Sequence, residues 1–106
     1  MNIFGFFSKT NINDEIENMR NTPGAVLIDV RTEEEYRTGH IPQAVNVPLD
    51  KISEFRNRIK NPGTPIYVYC LRGSRSQRAA GILKGYGYTN VKSIGGITSY
   101  KGKLEK

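Results

Sequence analysis

The stretch Ile66-Tyr67-Val68-Tyr69-Cys70-Leu71-Arg72-Gly73-Ser74-Arg75-Ser76 decides how this chain is read. Ile66 to Tyr69 is a short, continuous apolar run, the mark of a strand buried on both faces. The segment Ser76 to Lys84 reads as a helix, with Ser74 or Ser76 as candidate N-cap and Gly85 beyond its end. Between strand and helix stand a thiol, two arginines and Gly73, which can take the positive φ that a tight loop demands. Amides from Leu71 to Ser76 turned inward form a nest of N–H donors around Cys70. The positive end of the following helix points at the same place. With Arg72 and Arg75 beside it, the loop favours the thiolate, the nucleophilic form of cysteine. A lone cysteine ending a strand is commonly an inert core residue. An inert residue has no use for a glycine turn and two cations, so Cys70 is read as a nucleophile.

Cys70 is also the only cysteine among 106 residues, so no internal disulfide forms, and His40 is the only histidine, so Cys/His metal spacing is absent. No metal or cofactor is expected. The length suits a single domain over residues 1–106 with a core of its own. No apolar run reaches membrane-spanning length. The start, with Ile3, Phe4, Phe6 and Phe7, is too short an apolar patch for a signal peptide and is expected to pack on the core. A reduced cytoplasm is the expected compartment.

The net charge of +6 is unevenly distributed. No Asp or Glu lies between Phe55 and Leu104, so the half containing Cys70 is strongly basic. That half would steer small anions, or an acidic protein partner, toward the loop. Tyrosines among the basic residues raise nucleic acid as a competitor. Tyr67 and Tyr69 fit a strand, however, and no recognised nucleic-acid motif is present, so neither nucleic acid nor membrane is an expected partner.

Working outward, Ile12, Ile16 and Met19 recur at helical spacing and predict a helix over about 13–20. Ala25 to Val30 is a second buried strand. Thr32 and Glu35 form a capping box opening a brief helix that stops at Gly39, which makes the glutamates there structural. Ala44 to Val47 is a short strand closed by Pro48. Ile52, Phe55 and Ile59 mark another helix, Asn90 to Ile94 a last strand, and Ile97, Tyr100 and Leu104 a terminal helix. Strands alternating with helices in this order predict an α/β fold, a mostly parallel central sheet with helices on both faces. Ligands in such sheets bind beyond the carboxyl ends of the strands, where Cys70 is placed.

Four stretches together resemble the single-domain rhodanese-like sulfurtransferases: Leu27 to Tyr36, Gly39 to Pro48, Tyr67 to Ser76, and Gly87 through Gly95-Gly96. They run in order from about residue 25 to 100. The resemblance implies a persulfide mechanism, in which Cys70 takes sulfur from a small anionic donor such as thiosulfate and yields it to cyanide or a thiol. Leu71, Arg72, Gly73, Ser74, Arg75 and Ser76 would bind the donor, the amides holding the terminal sulfur and the arginines the sulfonate. Asp29 and Arg31 would form a supporting ion pair behind the loop, and His40, in the Gly-His-Ile-Pro turn, is structural. Two positions depart from the family pattern. Gln43 stands where glycine is usual, which predicts a changed local turn, and Tyr100 stands where tryptophan usually follows the paired glycines.

Two rivals are weighed against this reading. Phosphatases and arsenate reductases on the same fold use a loop one residue longer, with the arginine at the sixth position after cysteine. Here that position is Ser76 and the arginine comes fifth, so the loop fits one sulfur better than a tetrahedral oxyanion. The other rival is a sulfur-carrier or binding module that works only with a protein partner. Nothing in the residues excludes it.

Overall fold

Strand β3 (Ile66–Cys70) lies inside a four-stranded sheet, and both of its faces are buried by alternation. The computed structural model describes residues 11–106, so the expected packing of Ile3, Phe4, Phe6 and Phe7 lies outside the described residues. The other strands are β1 (Val26–Asp29), β2 (Val45–Asn46) and β4 (Val91–Gly96), in the order β2-β1-β3-β4, and every pairing is parallel. The α-helices are α1 (Ile12–Arg20), α2 (Glu33–Thr38) and α3 (Ser74–Gly85). Among the described residues, no helix is long and apolar enough to cross a membrane.

One face of the sheet presents Ile28, Ile66, Val68 and Cys70 to Phe55 and to Ala79 and Leu83 of α3. The other presents Leu27, Tyr69 and Ile94 to Ile12, Ile16 and Met19 of α1. That is the period-two pattern of a sheet covered on both sides. The chain leaves β1 toward β2 on one side and returns to β3 on the other. The connections therefore diverge at the carboxyl ends of β1 and β3, which opens a crevice there. Cys70 ends β3 there, and Arg31 follows the end of β1.

Three local expectations need correction. Residues Leu49–Asn57 form a 3-10 helix rather than an α-helix. Pro48 precedes it, and Ile52 and Phe55, its buried residues, are three apart, a spacing that eclipses on a three-residue turn. The terminal helix is absent: a single 3-10 turn spans Ile97–Ser99, and Tyr100 is already extended. Gly102 sits so close to the Tyr100 ring that a side chain there would overlap the phenol oxygen, and Leu104 is half exposed. Beyond it the chain runs extended and Glu105 exchanges backbone hydrogen bonds with His40 at 2.8 Å. Third, helix α3 begins at Ser74 with Gly73 as its N-cap, not Ser74 or Ser76.

Candidate active site

That third correction builds the centre of the site. Gly73 adopts φ +116°, a conformation open to glycine, and as an N-cap it offers no side-chain acceptor to the first turn of α3. The Cys70 sulfur takes that place. The Ser76 amide, at the third helical position, donates to Sγ at 3.3 Å, and the Gly73 amide donates to it at 3.0 Å. Cys70 itself is 1% exposed. Two of the amides expected to face the sulfur therefore do so. Leu71 turns its carbonyl away, accepting from the amide and the hydroxyl of Thr98 at 3.2 Å each. Arg72 and Ser74 lie at the surface.

Arg75 is held from outside the loop. Its Nη1 and Nη2 reach Oε1 and Oε2 of Glu35 at 2.8 and 3.1 Å, a bidentate pair with both side chains about one-third exposed. The Arg75 guanidinium, helped by the Thr32 amide, holds the Glu35 carboxyl down at about 2, against a smaller opposing effect of burial. The same hydrogen bond raises Arg75. Glu35 keeps its capping-box contact with the Thr32 amide at 2.9 Å, so one carboxylate fixes the start of α2 and the end of the Cys70 loop together. Arg72 makes no ion pair among the described residues.

Behind the loop, Asp29 and Arg31 form an ion pair, with Nη2–Oδ2 at 2.7 Å and the two residues 0% and 3% exposed. Burial works to lower Arg31, but the hydrogen bond and charge of Asp29 outweigh it and raise the group. Further bonds satisfy the pair: Arg31 Nη2 donates to Gly39 O at 2.8 Å, and Asn46 Nδ2 donates to the carbonyls of Asp29 and Arg31. Burial, with the neighbouring charge of Asp29, pushes the Tyr69 phenol well up. Its oxygen accepts from the Ile41 amide at 3.1 Å. The segment Gly39 to Ile41 is thus tied to the ends of β1 and β3. Beside the loop lies a crevice of about 450 Å³, floored by Val30, Leu49 and Ile82 and bordered by Arg75, Arg78 and Asp50. Among the described residues no group of three His, Cys, Asp or Glu side chains is placed to hold a metal.

The sequence model of the Rhodanese-like domain matches residues 13–103. This chain belongs to the rhodanese-like family. It is 39% identical over 82 residues to the uncharacterized protein YqhL of Bacillus subtilis, covering 76% of this chain and 64% of that one. It is 38% identical over 73 residues to the thiosulfate sulfurtransferase GlpE of Pseudomonas syringae, covering 69% of this chain and 68% of the relative. A solved rhodanese from Escherichia coli with anions superposes with a TM-score of 0.72 at 32% identity, over 77% of this chain and 98% of that one. Some relatives are much longer: the chain spans 21% of an adenylyltransferase and sulfurtransferase from Ogataea parapolymorpha.

Within this rhodanese-like fold, several neighbours of the loop escape a reading of the sequence. In the sequence the capping box accounts for Glu35 by itself and gives no signal that it also holds Arg75. Gly96 stands in the closing signature, and a Cβ there would overlap Leu71 O and Arg72 Cα, so the glycine is what lets β4 back the loop. Ser93 has no sequence signal at all. His40 is 9% exposed, its ring stacked on Tyr36 at 3.7 Å and its Nδ1 3.0 Å from Tyr36 O, which can only accept. Gln43 has a φ of +79°, in the left-handed region that glycine favours.

Proposed function

We propose that this chain is a sulfurtransferase carrying sulfane sulfur on Cys70. The thiolate attacks the outer sulfur of thiosulfate or a related donor, the S–S bond breaks, and sulfite leaves with its electron pair. Cys70 is left as a persulfide anion. A thiophilic acceptor, cyanide or a thiol, then attacks the terminal sulfur and the Cys70 thiolate departs. The observation that carries this reading is the closure of the loop on a single sulfur, with the Gly73 and Ser76 amides at 3.0 and 3.3 Å from Sγ. Donors already fixed there need no reorganisation as charge develops on sulfur in either step. The loop's fit to one sulfur favours this chemistry over phosphate or arsenate. The thiosulfate sulfurtransferase name of the Pseudomonas syringae relative supports thiosulfate as donor. Leu71, Arg72 and Ser74 are proposed to shape the donor's approach, with exposed Arg72 meeting its anionic end and Arg75 acting from its seat on Glu35.

The experiment is intact mass of the reduced protein after incubation with thiosulfate, beside Cys70→Ser. A one-sulfur increase confined to the unsubstituted chain and discharged by cyanide is expected. No increase, with the thiol still open to alkylation, overturns thiosulfate as donor. A second reading, a carrier that delivers only to a protein partner, is favoured by relatives named adenylyltransferase and sulfurtransferase uba4 and putative sulfur carrier YrkF. It predicts a persulfide that loads but resists cyanide and small thiols.

A further inference from the structure

The Ser76 hydroxyl has more neighbours than it has protons. Its Oγ lies 2.9 Å from Gly73 O, 2.8 Å from Ser93 Oγ, 3.5 Å from Gly95 O and 3.6 Å from Cys70 Sγ, and the residue is 0% exposed. A hydroxyl donates once and accepts twice. Gly73 O and Gly95 O can only accept. Whether the sulfur receives a proton from Ser76 therefore depends on what donates to Ser76 in return.

With Cys70 as a thiol, S–H donates to Ser76 Oγ and the Ser76 hydroxyl donates to Gly73 O. With the sulfur anionic, that arrangement sets an oxygen lone pair against negative charge. The conflict is removed when the Ser76 hydroxyl turns to the sulfur. Turning costs Gly73 O little, because that carbonyl keeps the Gln77 amide at 3.1 Å. Ser76 Oγ then accepts, and the Ser93 hydroxyl at 2.8 Å supplies the proton.

The backbone of β4 is bent at this place. Val68 pairs with Ser93, but the next matched pair is Cys70 with Gly96, so β4 carries one extra residue, and Gly95 within it has φ +105°. The extra residue falls after Ser93, which keeps its regular register opposite Val68. Ser93 stands on the same face of β4 as Val91, the face that packs with Cys70 and α3.

We propose that Ser93 is a positioning residue for the sulfur chemistry: its hydroxyl donates to Ser76 Oγ and so turns the Ser76 hydroxyl toward the Cys70 sulfur whenever that sulfur carries charge. This rests on the reading of Cys70 as the sulfur-carrying nucleophile. The device acts twice in a cycle, on the attacking thiolate and again on the thiolate released when the acceptor breaks the S–S bond.

The test is alkylation of the full chain by iodoacetamide across a pH series, read by intact mass, since Cys70 is the single cysteine. Ser93→Thr and Ser93→Val have the same shape and differ in the hydroxyl, and thermal melts establish that both fold. Near neutral pH the valine variant is expected to react about three- to tenfold more slowly, with its rate profile displaced to higher pH. The threonine variant is expected to follow the unsubstituted chain. Equal rates and profiles in both variants overturn the proposal, as does a threonine variant as slow as the valine one. Ser93→Ala repeats the comparison should valine disturb the bulge, and an unchanged profile there is equally fatal. Iodoacetamide needs no sulfur donor. Failure of thiosulfate to load thus strikes the sulfurtransferase reading alone, and an unchanged alkylation profile strikes Ser93 alone.

Discussion

Arg75 and Glu35 are forty residues apart in sequence and meet end to end, Nη1 on Oε1 at 2.8 Å and Nη2 on Oε2 at 3.1 Å. Position along the chain suggests an arginine aimed at a substrate. The pair makes it also a strut between α2 and the loop that holds Cys70, with part of its charge neutralised in place. Two consequences are open to measurement.

The first concerns acid. Glu35 titrates at about 2 in the folded chain against an ordinary 4.5, so it contributes stability that is present above pH 4.5 and lost as pH falls through about 2. Glu35→Gln keeps a side chain able to complete the capping box but removes the charge. It is expected to lower stability near neutrality by about 1 kcal/mol, a modest figure because the pair is partly exposed. Urea unfolding at stepped pH checks this: the two proteins converge as pH approaches 2. A gap that stays constant down to that pH assigns the effect to something other than the carboxylate's charge.

The second concerns the arginine. Arg75→Ala is expected to reduce kcat/KM for thiosulfate about ten- to a hundredfold, since a misplaced loop loses its prearranged geometry. Arg75→Lys separates charge from shape, because an ammonium cannot make the two-pronged contact with Glu35. It is expected to recover only a small part of the loss. Full activity in the lysine variant would reduce the role of Arg75 to charge.

The order of strands and helices was legible because each buried strand is a compact apolar run and each cap or turn has its own chemistry. The Asp29–Arg31 pair was legible through the family resemblance, which implied it, and the two meet at 2.7 Å. What escaped is what depends on contact between distant segments. Glu35 already had a local explanation. Ser93 is an ordinary strand residue until the fold sets it, in register with Val68, against Ser76 seventeen residues away. The terminal helix failed for the opposite reason: Ile97, Tyr100 and Leu104 have helical spacing, but Gly102 packs on Tyr100 and Glu105 pairs with His40, and those contacts prevail over a weak local preference.

Two glycines give opposite forecasts from the same substitution. Gly96→Ala drives a methyl group into Leu71 O and Arg72 Cα, backbone atoms that cannot swing aside. It is expected to cost about 1–3 kcal/mol or more and to slow alkylation of Cys70 as the loop shifts. Gly81→Ala, inside α3 with nothing within 4 Å of the new Cβ, is expected to stabilise by about 0.5–1 kcal/mol. Denaturant midpoints measure both. A harmless Gly96→Ala would mean that the loop does not depend on its contact with β4.

Gln43 is the sole described residue other than glycine with a positive φ, +79°, and it stands in an exposed turn. A side chain in the left-handed region costs about 1–2 kcal/mol relative to the right-handed one. Glycine removes that cost but adds freedom to the unfolded chain worth about 0.4–1 kcal/mol. The balance favours Gln43→Gly by roughly 0.5–1 kcal/mol, with Gln43→Asn intermediate because asparagine tolerates this conformation. Gln43→Ala is expected to gain nothing, since it keeps the Cβ that causes the strain. Urea midpoints for the three variants should therefore rank glycine, asparagine, alanine. Should alanine match glycine, the glutamine side chain itself, and not the backbone angle, is the source of any penalty.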